Sequence, residues 1–556
     1  MSTHFGAILF DGELRDREAQ KSQLNSIPIQ GFDVFLEGFS RALLTKSEHG
    51  PIIFSREALM ASRSSAPTWF ANVREKVKPT AATDIDALRA WDRLLLLSVG
   101  PEMLQYAWIR AEARRQDWPI TAILHSPQPI PRIRYLFTNN LMSTLGMQDA
   151  LVCPSNAARA VIERAFAAVP PSLRSTERLP MQLPVIPMGV DADAMTQLSR
   201  EDARRTLNLP DDSPILLWFG RLSPADKGEM LPFLRAMAPV VERHRARLVI
   251  AGDDTSYRMA DTLLDLATEL GYGDRLIVLP DVTQEDKRRL LRAANIFLAL
   301  SDSMHEGFSL TIAEAMASGL PVIASDWAGH REWIHDGCTG FLIPTYLSAD
   351  PTSRLIALYA GAPQEKLLEL STVVDLRALV AALDSMLGDP DVTARMGDAA
   401  LRFARQTFDW SVVMGQYDAL WCEQFARAAS LSARRDPFPA TTFPELFASY
   451  PTRFMRPTDV LAVASDAFGD EFIQALVDAR YFRADVFLHI LAQCRERPKG
   501  QAVDDIVKGV CRATDGSLKS VEVERHVARL LKHGLLEMVS KAAAPIAPSG
   551  ITTSDD

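Results

Sequence analysis

Residues Glu306 to Gly319 read EGFSLTIAEAMASG and run directly into the apolar stretch Leu320-Pro321-Val322-Ile323-Ala324. A glycine ahead of an apolar helix lets backbone approach a ligand, and the N–H groups of Phe308, Ser309 and Leu310 at the helix start point toward it. Such a turn suits an anion, and a diphosphate is of the right size and charge. Glu306 stands ahead of the helix beside Gly307, next to whatever occupies the N-terminus. Glu314 stands inside the helix, with seven residues between the two, where a carboxylate can read hydroxyl groups. Carboxylates reading hydroxyls is sugar chemistry. Taken alone, the pair fits equally a glutamate favoured by the helix dipole and another on a solvated face, so the flanking sequence has to decide.

A second cluster, GRLSPADKG from Gly220 to Gly228, follows the apolar run Ile215 to Phe219. Arg221 and Lys227 then emerge at the C-terminal end of a strand, where ligands sit in open α/β sheets. A guanidinium fork with a mobile ammonium clamps a pyrophosphate, although loop cations are more often simply solvated. Asp253-Asp254 also follows a strand, and we read it as loop chemistry rather than as a metal site.

These groups need a frame. Short apolar runs at Gly6 to Phe10, Pro51 to Phe54, Leu94 to Ser98, Thr121 to Leu124 and Ala150 to Cys153 alternate with helix-period segments, predicting a parallel sheet over residues 1–190. The rhythm restarts with strands at Ile215 to Phe219, Arg247 to Ala251, Arg275 to Leu279, Ile296 to Leu300 and Pro321 to Ala324, and helices at about 229–242, 257–270, 284–294 and 309–318. This second doubly wound domain covers 191–430, with 346–372 as an insertion and a helical stretch from 374. A proline-bearing linker follows at 431–444, then a mainly helical domain at 445–540 without strong strand signal, and a loose tail at 541–556. In the third domain Val521, Val527, Leu530, Leu531 and Leu535 fall at helical spacing, in a shape like the end of a winged helix.

Together, GRLSPADKG, the run S-x-x-x-x-E-G-F-S-L-x-x-x-E-A-M-A-S-G-x-P-V-I-A from Ser301, and Ile186-Pro187-Met188-Gly189-Val190-Asp191 at the junction resemble glycosyltransferase family 4, the retaining GT-B enzymes of glycosyl transferases group 1. The resemblance covers about residues 1–430 and is densest over 185–345. It implies an α/β GT-B fold, two Rossmann-like domains facing a cleft, with the helical domain added. It further implies a UDP- or GDP-sugar donor with no other cofactor, no metal, and transfer with retention to an acceptor hydroxyl. On this resemblance Arg221 and Lys227, with Gly220 beside them, hold the donor diphosphate. Glu306 contacts the transferred sugar, the backbone of Gly307, Phe308, Ser309 and Leu310 supports sugar and phosphate, and Glu314 holds the ribose. The loop Leu279 to Val282 lies near the base, and His125 lines the sugar site. The family's glycine-rich loop after the first strand is missing; Gly31 is the glycine available, and Asp11, Gly12 and Glu13 could replace part of its contacts. A nucleotide-sugar epimerase or a phosphorylase on the same architecture, a catalytically weak scaffold, and a transferase recruiting a peptide or protein through its last domain are the competing readings.

The composition narrows the partners. Lys and Arg number 60 against 70 Asp and Glu, a net charge of -10, which argues against nucleic acid. The acceptor stays open among glycan, small metabolite, lipid-linked molecule and protein, and 445–540 is available for a protein partner or self-association. Five widely spaced cysteines without a CxxC pair indicate neither a disulfide framework nor a zinc knuckle. With no secretion signal or long apolar segment, the expectation is a cytoplasmic protein, peripheral contact at the inner face of a membrane being left open.

Overall fold

The computed structural model describes residues 6–8, 31–46, 85–101, 103–126, 145–167, 179–223, 227–304, 306–347, 372–430, 455–464, 473–474, 476–477, 482–514 and 518–539. The expected strand at Pro51 to Phe54, the candidate residues Asp11, Gly12 and Glu13, the linker and the tail lie outside them. The chain divides into two compact units, Met1–Pro437 and Phe438–Asp556.

The first half of the larger unit carries β1 (Gly6–Ile8), α1 (Gly31–Lys46), α2 (Ile85–Arg89), β2 (Leu94–Ser98), α3 (Leu104–Ala113), β3 (Ile120–Ile123), β4 (Ala150–Val152) and α4 (Asn156–Ala167). Its described strands are all parallel, in the order β1-β2-β3-β4. β2 and β3 are buried along their whole length, which is why they read as continuous apolar runs rather than as alternation.

The second half begins with α5 (Arg200–Thr206) and continues through β5 (Ile215–Phe219), α6 (Met230–His244), β6 (Arg247–Gly252), α7 (Ala260–Glu269), β7 (Leu276–Pro280), α8 (Gln284–Ala293), β8 (Ile296–Ala299), α9 (Leu310–Ala317), β9 (Val322–Ser325), α10 (His330–Trp333) and β10 (Gly340–Ile343). The strands form one parallel sheet, β10-β9-β8-β5-β6-β7. Strand order reverses between β5 and β8, so the loops leaving these two strands diverge and open a crevice at the sheet's C-terminal edge. Alternate strand residues feed opposite faces. Leu217, Val249 and Phe297 pack with Leu290, Ile312 and Phe408 on one side. Leu216, Leu248 and Leu298 pack with Leu234, Met237 and Leu383 on the other. The predicted strands and helices of this half appear within a few residues of their expected bounds; β10, not anticipated, adds a further parallel edge.

The expected insertion is bounded by an antiparallel pair, β11 (Thr345–Leu347) and β12 (Thr372–Val374), whose partners run from Thr345 with Val374 to Leu347 with Thr372. Three helices follow, α11 (Leu376–Gly388), α12 (Pro390–Thr407) and α13 (Trp410–Ala429). Asp375 and Asp389 cap α11 and α12 by accepting two backbone N–H bonds each. The last helix returns to the first half. Gln424 donates to the carbonyls of Ile120 and Gln148 at 3.0 and 2.9 Å and accepts from Thr121 Oγ1 at 2.7 Å, while Tyr417 packs edge-on against Phe39 of α1.

The smaller unit contains β13 (Val460–Val463), α14 (Ala484–Arg495), β14 (Gln501–Ala502), α15 (Val503–Ala513), α16 (Ser520–Lys532) and β15 (Leu536–Met538). Its strands are antiparallel in the order β14-β13-β15. These strands lie where the sequence carries no strong strand signal: segments of two to four residues are too short to show a period. The helical expectation holds for α16, but Val523, Val527 and Leu530 face the core, and Val521 is exposed. No helix among the described residues is long and apolar enough to cross a membrane.

Candidate active site at the switch-point crevice

The loops after β5 and β8 line the crevice and are linked across it by side chains. Lys227, about a third exposed, donates from Nζ to Glu306 Oε2 at 3.1 Å, and Glu306 is nearly sealed from water. Burial works to raise the Glu306 carboxyl. The positive charge of Lys227 and the electrostatic influence of His330, with hydrogen bonds from Lys227 and Ser301, outweigh it and hold the group below the usual glutamate range. The crevice therefore presents a fixed carboxylate beside a cation that is still reachable from solvent.

Gly307 leads into the helix start. Ser309 takes a left-handed conformation at φ 69° immediately before α9, and its side chain does not cap the helix start. The Phe308 side chain is structural, packing edge-on against Trp333 and Phe408 at 5.4 and 5.5 Å, which fixes the backbone around it. The loop is braced from β9 and the turn after it. Trp327 Nε1 donates to the Ser303 carbonyl at 2.8 Å, Ser325 Oγ bonds the Ser301 carbonyl, and a Cβ on Gly329 would come within 2.7 Å of the Gly307 carbonyl.

On the other wall, Gly220 and Arg221 follow β5 as expected. Arg221 Nε lies 3.9 Å from Asp253 Oδ2. Gly252, at φ 140°, approaches so closely that a Cβ would sit 1.8 Å from the Gly220 carbonyl. Asp253 accepts from the backbone and hydroxyl of Thr255, and Asp254 from the amides of Met259 and Ala260, so both aspartates serve their own turn. Val282 is half-buried against the core just after Asp281, whose N–H bonds the Gly252 carbonyl at 2.6 Å. Among the described residues no group of three or more His, Cys, Asp or Glu is placed to hold a metal ion.

Glu314 has a setting that the sequence did not suggest, while His125 and Gly31 stand beside the strand and helix expected for them. Glu314 is buried, with its carboxylate paired to the equally buried Lys287 Nζ at 2.5–2.6 Å. His125 follows β3, contacts the Val99 carbonyl through Nε2 and lies edge-on to Phe35 at 4.8 Å. Gly31 is the first residue of α1. Sequence reasoning missed two groups near the crevice. Lys287 reads as one more charge in the polar run QEDKRR, and His330 is a single histidine in AGHREW. His330 is fully buried, bonds the Ser325 carbonyl through Nδ1 at 3.1 Å, and burial pushes its pKa down.

The profile of the family described as Glycosyl transferases group 1 matches residues 199–366. Two curated D-inositol 3-phosphate glycosyltransferases are similar. That of Nocardia farcinica is 30% identical over 266 residues, covering 46% of this chain and 52% of the relative. That of Mycolicibacterium smegmatis is 32% identical over 227 residues, 39% and 50% of the two chains. The chain thus spans about half the length of the curated relatives it matches. Among solved structures, Anabaena Alr3699/HepE in complex with UDP aligns with a TM-score of 0.50 at 16% identity, covering 75% of this chain and 100% of that one. A glycosyltransferase from Rickettsia africae aligns with a TM-score of 0.50 at 16% identity, covering 77% and 100%. These two share the fold. Residues 199–366 therefore match the glycosyl transferases group 1 profile, and the two parallel sheets of the larger unit share the GT-B fold.

Proposed function

We propose that the larger unit is a retaining glycosyltransferase that moves a sugar from a UDP- or GDP-sugar to an acceptor hydroxyl, without a metal. The observation that carries this reading is the Lys227–Glu306 pair at the point where strand order reverses, beside the turn of helix-start amides. In the transfer, the bond between the anomeric carbon and the diphosphate breaks, so negative charge grows on the leaving phosphate while the sugar becomes oxocarbenium-like. Arg221, Lys227 and the amides of Gly307 to Leu310 face that growing charge. Glu306 accepts from the sugar's hydroxyls and orients the ring, and the leaving phosphate takes the acceptor's proton on the face it departs from. Glu314, held by Lys287, contacts the ribose through its remaining lone pairs. His125 lines the sugar site from the first half, Val282 borders the base, and Gly31 faces the phosphates from the start of α1. The relatives' names favour a polyhydroxyl acceptor, and the family reading favours a protein that works in the cytoplasm.

The test is release of nucleoside diphosphate from UDP- and GDP-sugars by the full chain, with the anomeric configuration of the product read by NMR. Glu306→Gln and Lys227→Ala should each lower turnover by about 10²–10³, the loss expected when one preorganised group is removed. Inverted product, or unchanged turnover in both variants, contradicts the proposal.

A further inference from the structure

The first turn of α4 in the first half is completed by a side chain from the second. Glu332 of α10 accepts from the backbone N–H of Asn156 and from its Nδ2 through Oε2, and from the Ala157 N–H through Oε1, all at 2.8 Å. The next amide, on Ala158, goes to Ser155 Oγ at 3.1 Å. The same Ser155 hydroxyl donates to the Gly307 carbonyl at 2.7 Å. The helix-start amides, which need acceptors from outside their helix, are thus satisfied by the opposite half and by a serine tied to it.

These contacts close a ring. Gly307 touches Ser155, Ser155 opens α4, α4 is capped by Glu332, and Glu332 lies three residues from Gly329, which abuts the Gly307 carbonyl. His330, between Gly329 and Glu332, is buried and interacts electrostatically with Glu306. One short segment, 325–332, therefore braces the loop bearing Glu306 at one end and grips the first half at the other.

We infer that Glu332 and Ser155 are positioning residues, coupling the seating of the first half to the shape of the Glu306–Gly307 loop. Resting on the donor-site reading above, this makes the donor loop fully shaped only when the two halves are joined at α4. Loosening the joint lets the loop relax, so donor binding weakens and water competes better with the acceptor for the sugar.

Hydrogen–deuterium exchange on the unliganded full chain tests the coupling. Glu332→Gln keeps the side-chain volume but leaves a single acceptor oxygen where two are used, and Ser155→Ala removes the other tie. Both variants should raise exchange of amides 306–310 by about tenfold, the scale of a lost helix cap, while β6 and β8 stay protected. The ratio of donor hydrolysis to transfer should rise in the same variants. In Glu332→Gln neither change follows from a purely local cap, because the side-chain hydrogen bonds of Glu332 go to Asn156 and Ala157 rather than to residues 306–310. If Glu332→Gln loses protection throughout, Ser155→Ala decides. Wild-type exchange at 306–310 in Ser155→Ala overturns the inference, as does wild-type exchange in both variants. A wild-type chain that binds no nucleotide removes the donor-site reading instead, and the exchange comparison still decides the coupling.

Discussion

Lys287 and Glu314 are both about 4% exposed and pair at 2.5 Å, with Lys287 also 5.5 Å from the centre of the Phe219 ring. Removing one partner leaves the other charge buried without its counter-charge, whereas replacing both with apolar groups does not. Lys287→Met should therefore cost about 3–5 kcal/mol in chemical denaturation, and Lys287→Met with Glu314→Leu should recover most of it. Equal losses in the single and double variants would show that the pair is not what holds the two helices. Asp302 carries the opposite kind of strain: burial, with a lesser push from Glu229, raises its carboxyl to about 6. A raised carboxyl contributes stability that is fully present below its unfolded pKa and lost as pH rises through about 6. Asp302→Asn removes that dependence, so the melting temperature of wild type should fall relative to this variant between pH 4 and pH 7, the range that brackets the shift. Parallel curves would contradict it. At this scale the sequence was readable where a motif framed the residue, as with Arg221, Lys227 and Glu306. Lys287 and His330 act through tertiary neighbours and leave no local pattern.

The elements carry a different kind of constraint. β5 and β6 pair in parallel from Ile215 with Arg247 to Phe219 with Ala251, and just beyond this pairing Gly252 lets the chain pass the Gly220 carbonyl. Gly252→Ala meets both a forbidden φ and a backbone clash, so it should destabilise the fold by several kcal/mol and weaken nucleotide binding, read by denaturation and titration. Wild-type stability in that variant would mean that the β5–β6 exit is not as tightly fixed as its geometry indicates. Strands of the second half were legible because burial on both faces makes them continuous apolar runs bounded by glycine and polar loops. β10 and β13–β15 were not, being short and set in mixed sequence where pairing partners, rather than local pattern, decide the conformation.

At the scale of the larger unit, the chain crosses twice between its halves, and the second crossing was invisible in sequence. Gln424 meets Thr121 across 303 positions, and Trp410 lies where a Cβ on Gly189 would come within 2.3 Å of its ring. Such contacts pin the return of α13 onto the first half while the α4 joint ties the halves near the crevice, whose walls come from the loops after both β5 and β8. The smaller unit has its own core, built from Leu461, Phe487, Ile506, Val523 and Leu530, and therefore the means to fold around it. Binding of a nucleoside diphosphate at the crevice is the claim on which the rest depends. The measurement is the melting temperature of the full chain against UDP, GDP, ADP and their sugars, first without metal and then with Mg²⁺. One nucleotide at about 100 times its Kd should stabilise the protein by about 2.7 kcal/mol without metal, and Arg221→Ala and Lys227→Ala should abolish the shift. No shift with any nucleotide under either condition, or an undiminished shift in both variants, would contradict the account.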